Sequence, residues 1–226
     1  MKDDGAVDHD VARIARISKR RRILQAFGLL LTAHRSAWAA SDSTEPPDPA
    51  VARIRKFYDA LLGVMKEAKA LGLRGRYDKL APTIRDTFDL AAMIRIAVGP
   101  DWNSIPQEQR AALTEGFERM TIATYANRFD GYSGERFEVE PNAETRNTGK
   151  IVHTNLIQSS GVPIALNYLM RGSGNDWKAV DVYLTGTISE LATRRSEFGA
   201  ILKSGGPNAL VDSLRQQTEK LMRTRS

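Results

Sequence analysis

The sequence predicts an α+β domain in which an antiparallel four-stranded sheet, one face covered by helices, has additional helices at both its N- and C-terminal ends. Between residues 49 and 129 apolar side chains recur at three- and four-residue intervals, the spacing of a helix face. From Arg136 to Leu184 the interval becomes two and glycines punctuate it, and after Thr187 the helical interval returns, so strands lie between two sets of helices.

The first 39 residues read as an export signal. Lys19, Arg20, Arg21 and Arg22 form a basic stretch, Ile23 to Ala33 is mostly apolar, and Ala37-Trp38-Ala39 supplies the small-x-small cleavage pattern. Eleven residues interrupted by Gln25, Gly28 and Thr32 are too few to cross roughly 30 Å of hydrocarbon. Arg20-Arg21-Arg22-Ile23-Leu24 partly resembles a twin-arginine signal, leaving the export route open. Residues 40–48 are polar and proline-rich, a disordered lead-in, and a single domain is expected over 49–226.

The net charge of +6 belongs largely to that leader. Residues 1–39 hold eight Lys or Arg and four Asp, which leaves 25 basic and 23 acidic residues dispersed over the remainder. The footprint of a nucleic-acid binder is therefore missing. With no cysteine, disulfides and thiolate metal sites are excluded.

The first helix is expected to open with Asp48 as cap and Pro49 at its first position, where a missing N–H costs nothing. Val51, Ile54, Phe57, Leu61, Met65 and Ala68 give it one apolar stripe. Beyond Gly72 and Gly75 two shorter helices follow; the second is capped by Asp89, carries Leu90, Met93, Ile94 and Ala97, and stops at Gly99. Ser104 and Gln107 have capping-box spacing for the next helix, which runs to about Phe129 with Leu113, Phe117, Met120 and Thr124 on one line and Ile122, Tyr125 and Phe129 on another.

In the sheet, alternation places Val152, Thr154, Leu156, Ile164, Leu166, Tyr168, Met170, Val180, Val182 and Leu184 on one face. The other face receives His153, Asn155, Asn167, Arg171, Trp177, Asp181 and Tyr183. Two helices close the chain, one from about Thr187 to Lys203 and one opened by Pro207.

Catalytic signals are sparse. His9 and His34 fall in the leader, so His153 is the lone histidine of the domain, and a histidine metal cluster is excluded. A Ser-His-Asp arrangement through His153 and Asp181 is formally open, because triads are defined by geometry, but no G-x-S-x-G accompanies them. His153 fits better as a strand residue on the polar face, bonded to a neighbour such as Asn155 or Asp181. Glu138 and Glu140 share a strand face and suit a solvated edge. No glycine-rich phosphate loop is present, and no cofactor is expected. Apolar surface from the sheet and at least three helices converges on one region, as either a packed core or a cavity.

The run Trp177-Lys178-Ala179-Val180-Asp181-Val182-Tyr183-Leu184-Thr185-Gly186-Thr187-Ile188-Ser189, followed by Arg195 and Phe198, resembles the MlaC, or toluene-tolerance, family. Phe88-Asp89-Leu90, Val98-Gly99, Trp102, Thr124-Tyr125-Ala126, Gly131-Tyr132-Ser133-Gly134 and Asn167-Tyr168 fit it in order, from about Pro49 to Leu221. Phe57-Tyr58-Asp59-Ala60-Leu61-Leu62, Arg128 to Phe137 and Ile188 to Phe198 look most like its hopanoid-associated branch, HpnM.

The resemblance implies an NTF2-like sheet-and-helix fold around a deep apolar cavity, and a periplasmic carrier of lipid, hopanoid or phospholipid. Its partners would be an inner-membrane lipid transporter and an outer-membrane donor or acceptor complex. The cavity is expected between Leu166, Tyr168, Val180, Val182 and Leu184 of the sheet and Met93, Phe117, Tyr125 and Phe129 of the helices. The competing expectation is an NTF2-like hydrolase or isomerase with Asp181 and His153 as its acid-base pair. A third is an adaptor presenting Tyr132, Trp177 and Arg194 to a partner.

Overall fold

The computed structural model describes residues 48–223; the expected signal, residues 1–39, and nearly all of the lead-in lie outside them. Helix α1 spans Pro49–Lys66, and the Asp48 carboxylate accepts the Ala50 N–H at its start, as the sequence requires. Helix α2 (Ala68–Thr87) is kinked at Gly72, whose φ of 60° suits a residue without Cβ. Helix α3 (Leu90–Val98) is capped by Asp89 and ends at Gly99.

Helix α4 (Gln107–Arg128) follows a short 3-10 turn and begins differently from expectation. The Ser104 hydroxyl donates to the Asp101 carbonyl inside that turn, and Pro106 occupies the cap position without a side-chain bond. The capping-box spacing is thus present without the box. Pro106 itself, extended at ψ 149°, turns the chain into the helix.

The expected four strands are recognisable, two of them broken. Strands β1 (Arg136–Val139) and β2 (Glu144–Arg146) are halves of the first; β3 (Gly149–Val152) and β4 (Thr154–Ile157), separated by His153, are halves of the second. β1 pairs with β4 and β2 with β3, and both β3 and β4 pair with the long β5 (Pro163–Ser173). β6 (Asp176–Leu184) takes the opposite edge of β5, and the two-residue β7 (Ile188–Ser189) lies beyond it. All pairings are antiparallel.

Helix α5 (Glu190–Met222) begins after β7, three residues later than expected, because Ile188 and Ser189 pair with Leu184 and Tyr183 before Ser189 caps the helix. A kink at Gly206, φ 70°, divides it where the sequence placed two helices.

One alternation fails within β6. Leu166 faces Leu184 and Tyr168 faces Val182, but Leu169 pairs with Asp181 while Met170 pairs with Ala179. Val180 is the extra residue of a β-bulge, which reverses the facing of the strand on its N-terminal side. Ala179, not Val180, therefore joins Met170 in the core cluster. The Ala179 carbonyl accepts the Asp89 N–H at 2.9 Å, tying the α2–α3 junction to the strand at the bulge.

The core lies between the sheet and the helices. Phe57, Tyr58, Phe88, Tyr125 and Tyr168 meet there at ring separations of 5.3–6.4 Å, several of them edge to face, the arrangement the ring quadrupole favours. Arg76, 8% exposed, donates to the carbonyls of Ala126 and Ala68, fastening α2 to α4. Among the described residues no helix is long and apolar enough to cross a membrane.

Candidate functional site

A cavity opens where the two periodicities converge. Helix α1 contributes Tyr58 and Leu61, the α2–α3 junction Phe88, α3 Met93, and α4 Phe117, Met120, Thr121, Thr124, Tyr125 and Arg128, with Phe129 just beyond. Leu166 and Tyr168 of β5 and Val182 and Leu184 of β6 form its floor, and Glu190 and Arg194 of α5 complete it. Eight of the nine residues expected here are brought together: Met93, Phe117, Tyr125, Phe129, Leu166, Tyr168, Val182 and Leu184. Val180, 2% exposed, is buried away from the cavity by the bulge.

The wall is divided into an apolar interior and a charged end. Thr121 and Thr124 donate their hydroxyls to the carbonyls of Phe117 and Met120 at 2.8 Å, so these protons are spent within the helix. At the charged end Arg194 bridges Glu190 at 3.3 Å and Glu197 at 3.0 Å. With Glu197 included, the two arginines and two glutamates at this end balance in formal charge, so the end is ion-paired rather than cationic.

Three phenols interrupt the apolar interior. Tyr58 bonds the Thr154 hydroxyl at 2.6 Å, and Thr154 in turn donates to the Leu166 carbonyl. Tyr168 packs edge to face on Tyr58, 5.8 Å between ring centres, and lines the same space as Tyr125. Burial holds all three well above the ordinary phenol range. They stay neutral, as hydrogen-bonding groups rather than bases.

Beyond the expected residues the lining takes in Leu61, Phe88, Met120, Thr121 and Thr124, together with Tyr58 and the charged Arg128, Glu190 and Arg194. Tyr58 lies three residues before Leu61 and Arg128 three after Tyr125, so each shares a helix face with an apolar cavity residue. That spacing, applied to polar residues, would have found them.

The two catalytic candidates stand apart. His153, in the break between β3 and β4, bonds the exposed Glu144 at 3.0 Å, and not Asn155 or Asp181 as the strand reading expected. That bond and Arg146 hold the Glu144 carboxyl below its ordinary range. Asp181 faces away from the cavity and accepts from Ser189 Oγ, Val182 N and Leu191 N, anchoring the start of α5. Among the described residues no group of His, Asp and Glu is placed to hold a metal.

The cavity has a volume of about 90 Å³, less than the ~150 Å³ that admits benzene in an engineered apolar cavity. The space is thus smaller than a lipid chain fills.

Comparisons with known proteins align with this region. A family model described as MlaC protein matches residues 55–216. A curated relative, the intermembrane phospholipid transport system binding protein MlaC of Haemophilus influenzae, is 26% identical over 127 residues, 54% of this chain and 59% of the relative. The chain thus spans about three-fifths of that relative's length. A solved structure of the phospholipid-binding protein from Ralstonia solanacearum, in complex with a phospholipid, superposes with a TM-score of 0.67 at 24% identity, covering 77% of this chain and 99% of that one. At that identity the likeness establishes the fold, a helix-covered antiparallel sheet.

Proposed function

Since the chain belongs to the MlaC family, we propose that it is a periplasmic lipid carrier. It shields the apolar part of a phospholipid or hopanoid during passage between the inner and outer membranes. Residues 1–39 would direct export and be removed, 40–48 would lead into the domain, and 49–226 would form it. An inner-membrane lipid transporter and an outer-membrane complex would exchange the cargo.

The observation that carries this reading is the two-part cavity, apolar over most of its wall and lined by ion-paired arginine and glutamate side chains at one end. A lipid has the complementary division. Each methylene withdrawn from water gains about 0.8 kcal/mol, so an unassisted chain cannot leave its bilayer at a useful rate. A protein wall replaces the bilayer. Names of relatives point the same way: one belongs to an intermembrane phospholipid transport system, and the other is a phospholipid-binding protein holding a phospholipid. The likeness to the hopanoid-associated branch keeps a fused-ring cargo within the proposal.

Release follows from the small volume of the cavity. Opening separates helices from the sheet, with α5 the natural moving part, since its first turn supplies Glu190 and Arg194 to the charged end. The enzyme alternative has no supporting geometry, because Asp181 holds the start of α5 while His153 bonds Glu144 on the surface.

The test is transfer of fluorescent phosphatidylglycerol from donor to acceptor vesicles separated by a protein-permeable barrier. Transfer should rise in proportion to added protein; no increase above the uncatalysed rate would refute carriage of this lipid. His153→Ala should leave transfer within about threefold of the parent, since the residue is remote from the cavity and its exposed ion pair contributes little. Complete loss in a folded His153→Ala protein would instead favour chemistry at His153.

A further inference from the structure

Tyrosines occupy cavity positions that phenylalanine would pack equally well. Phe57, Phe88, Phe117 and Phe129 already fill the surroundings with rings, so the phenol oxygens add only polarity. Burying a hydroxyl in an apolar chamber is unfavourable without a partner. For Tyr58 the partner is internal. Because Thr154 gives its proton to the Leu166 carbonyl, Tyr58 must be the donor in its bond to Thr154, and its proton is spent.

Tyr168 and Tyr125 differ. Tyr168 is 2% exposed and packs edge to face on Tyr58, 5.8 Å between ring centres. Of the three phenols Tyr125 is the one that is not fully buried, so its hydroxyl is the one a guest in the cavity can reach. Tyr125 is half-buried and lines that space. It also lies within the field of Arg128 and Glu190.

Spacing adds a second constraint. Arg128 follows Tyr125 by three residues on α4 and lines the same cavity, placing the guanidinium about one helical turn, roughly 5 Å, nearer the charged end. In a glycerophospholipid the ester carbonyls lie a comparable few bonds from the phosphate. An anionic head near Arg128 therefore brings an ester to the depth of Tyr125.

Resting on the carrier reading, we propose that Tyr125, held by its stack on Phe129, donates a hydrogen bond to an ester carbonyl of the bound lipid, so that the cavity distinguishes acyl esters from ether-linked or purely hydrocarbon chains. The Tyr125–Phe129 stack, 5.8 Å between ring centres and 15° between planes, holds the phenol in place. Tyr58 takes no part, its proton being committed elsewhere.

The experiment measures equilibrium uptake by the mature protein from vesicles of diester phosphatidylglycerol and of its diether analogue with equal chain lengths. The ester-to-ether affinity ratio should fall by about three- to tenfold in Tyr125→Phe, the range of one neutral hydrogen bond, with diether uptake unchanged. Tyr183→Phe, on the sheet face away from the cavity, should preserve the ratio. An equal ratio in the parent and a folded Tyr125→Phe protein overturns the proposal while leaving the carrier reading intact. Failure of the parent to take up either lipid overturns both.

Discussion

A Val182→Glu protein is expected to fold and to lose its lipid. Val182 is 8% exposed, opposes Tyr168 on the neighbouring strand, and lines the cavity floor. A carboxylate there must be desolvated beside an alkyl chain, at a cost of several kcal/mol in that apolar environment. Without lipid, water can enter from the charged end to solvate it, so the cost falls mainly on the bound state. A loss of 3 kcal/mol corresponds to more than a hundredfold in affinity. Thr185→Glu supplies the same charge at an exposed turn position. Its φ of 50° favours an unbranched side chain over threonine. Lipid content should be unchanged in Thr185→Glu and below a tenth of the parent value in Val182→Glu, with native circular dichroism and cooperative melting in both. A folded Val182→Glu protein with full lipid content would show that the sheet face is not the binding wall.

The largest stability effect outside the cavity is expected at Asp181. Its carboxylate accepts from Ser189 Oγ at 2.6 Å, Val182 N at 2.8 Å and Leu191 N at 3.2 Å, and so fixes β7 and the first turn of α5 to the sheet. Asp181→Ala leaves buried donors without acceptors, a loss of about 2–4 kcal/mol, measurable by urea unfolding at pH 7. Asp181→Asn retains an acceptor oxygen and should lose less.

The pH dependence separates the two contributions. Burial raises the Asp181 carboxyl above its ordinary value of 3.8, outweighing the hydrogen bonds that lower it, with nearby Glu190 reinforcing the rise. The stabilising contribution of the protonated form is fully present below that ordinary value and is lost as pH rises through the raised folded value. Parent stability relative to Asp181→Asn should therefore increase on acidification across this window. Asp48 and Asp86 are shifted downward and act oppositely in both proteins, so they cancel in the difference. A difference independent of pH would contradict the assignment.

The elements most legible in the sequence had a local signal agreeing with their tertiary role. Asp48 and Asp89 cap helices because each stands before an apolar helical stripe and has an N–H within reach. Leu166, Tyr168, Val182 and Leu184 alternate in phase with their strands, and the cavity forms over them. Val180 escaped because a bulge is fixed by pairing across β5 and by the Asp89–Ala179 bond from a distant segment. Alternation within β6 carries no trace of either. Ser104 escaped for a local reason: its hydroxyl found a nearer carbonyl, that of Asp101. Arg128 and Arg194 look like solvated helix charges until the fold places them at the cavity end.

Native mass spectrometry of the mature protein, purified without detergent from cells expressing the full chain, tests the central claim most directly. The account predicts a dominant species heavier than residues 40–226 by one lipid, identified after release as a phospholipid or hopanoid, and absent from folded Val182→Glu. A parent protein recovered wholly at the mass of its bare chain, and still without lipid after incubation with phosphatidylglycerol vesicles, would contradict it.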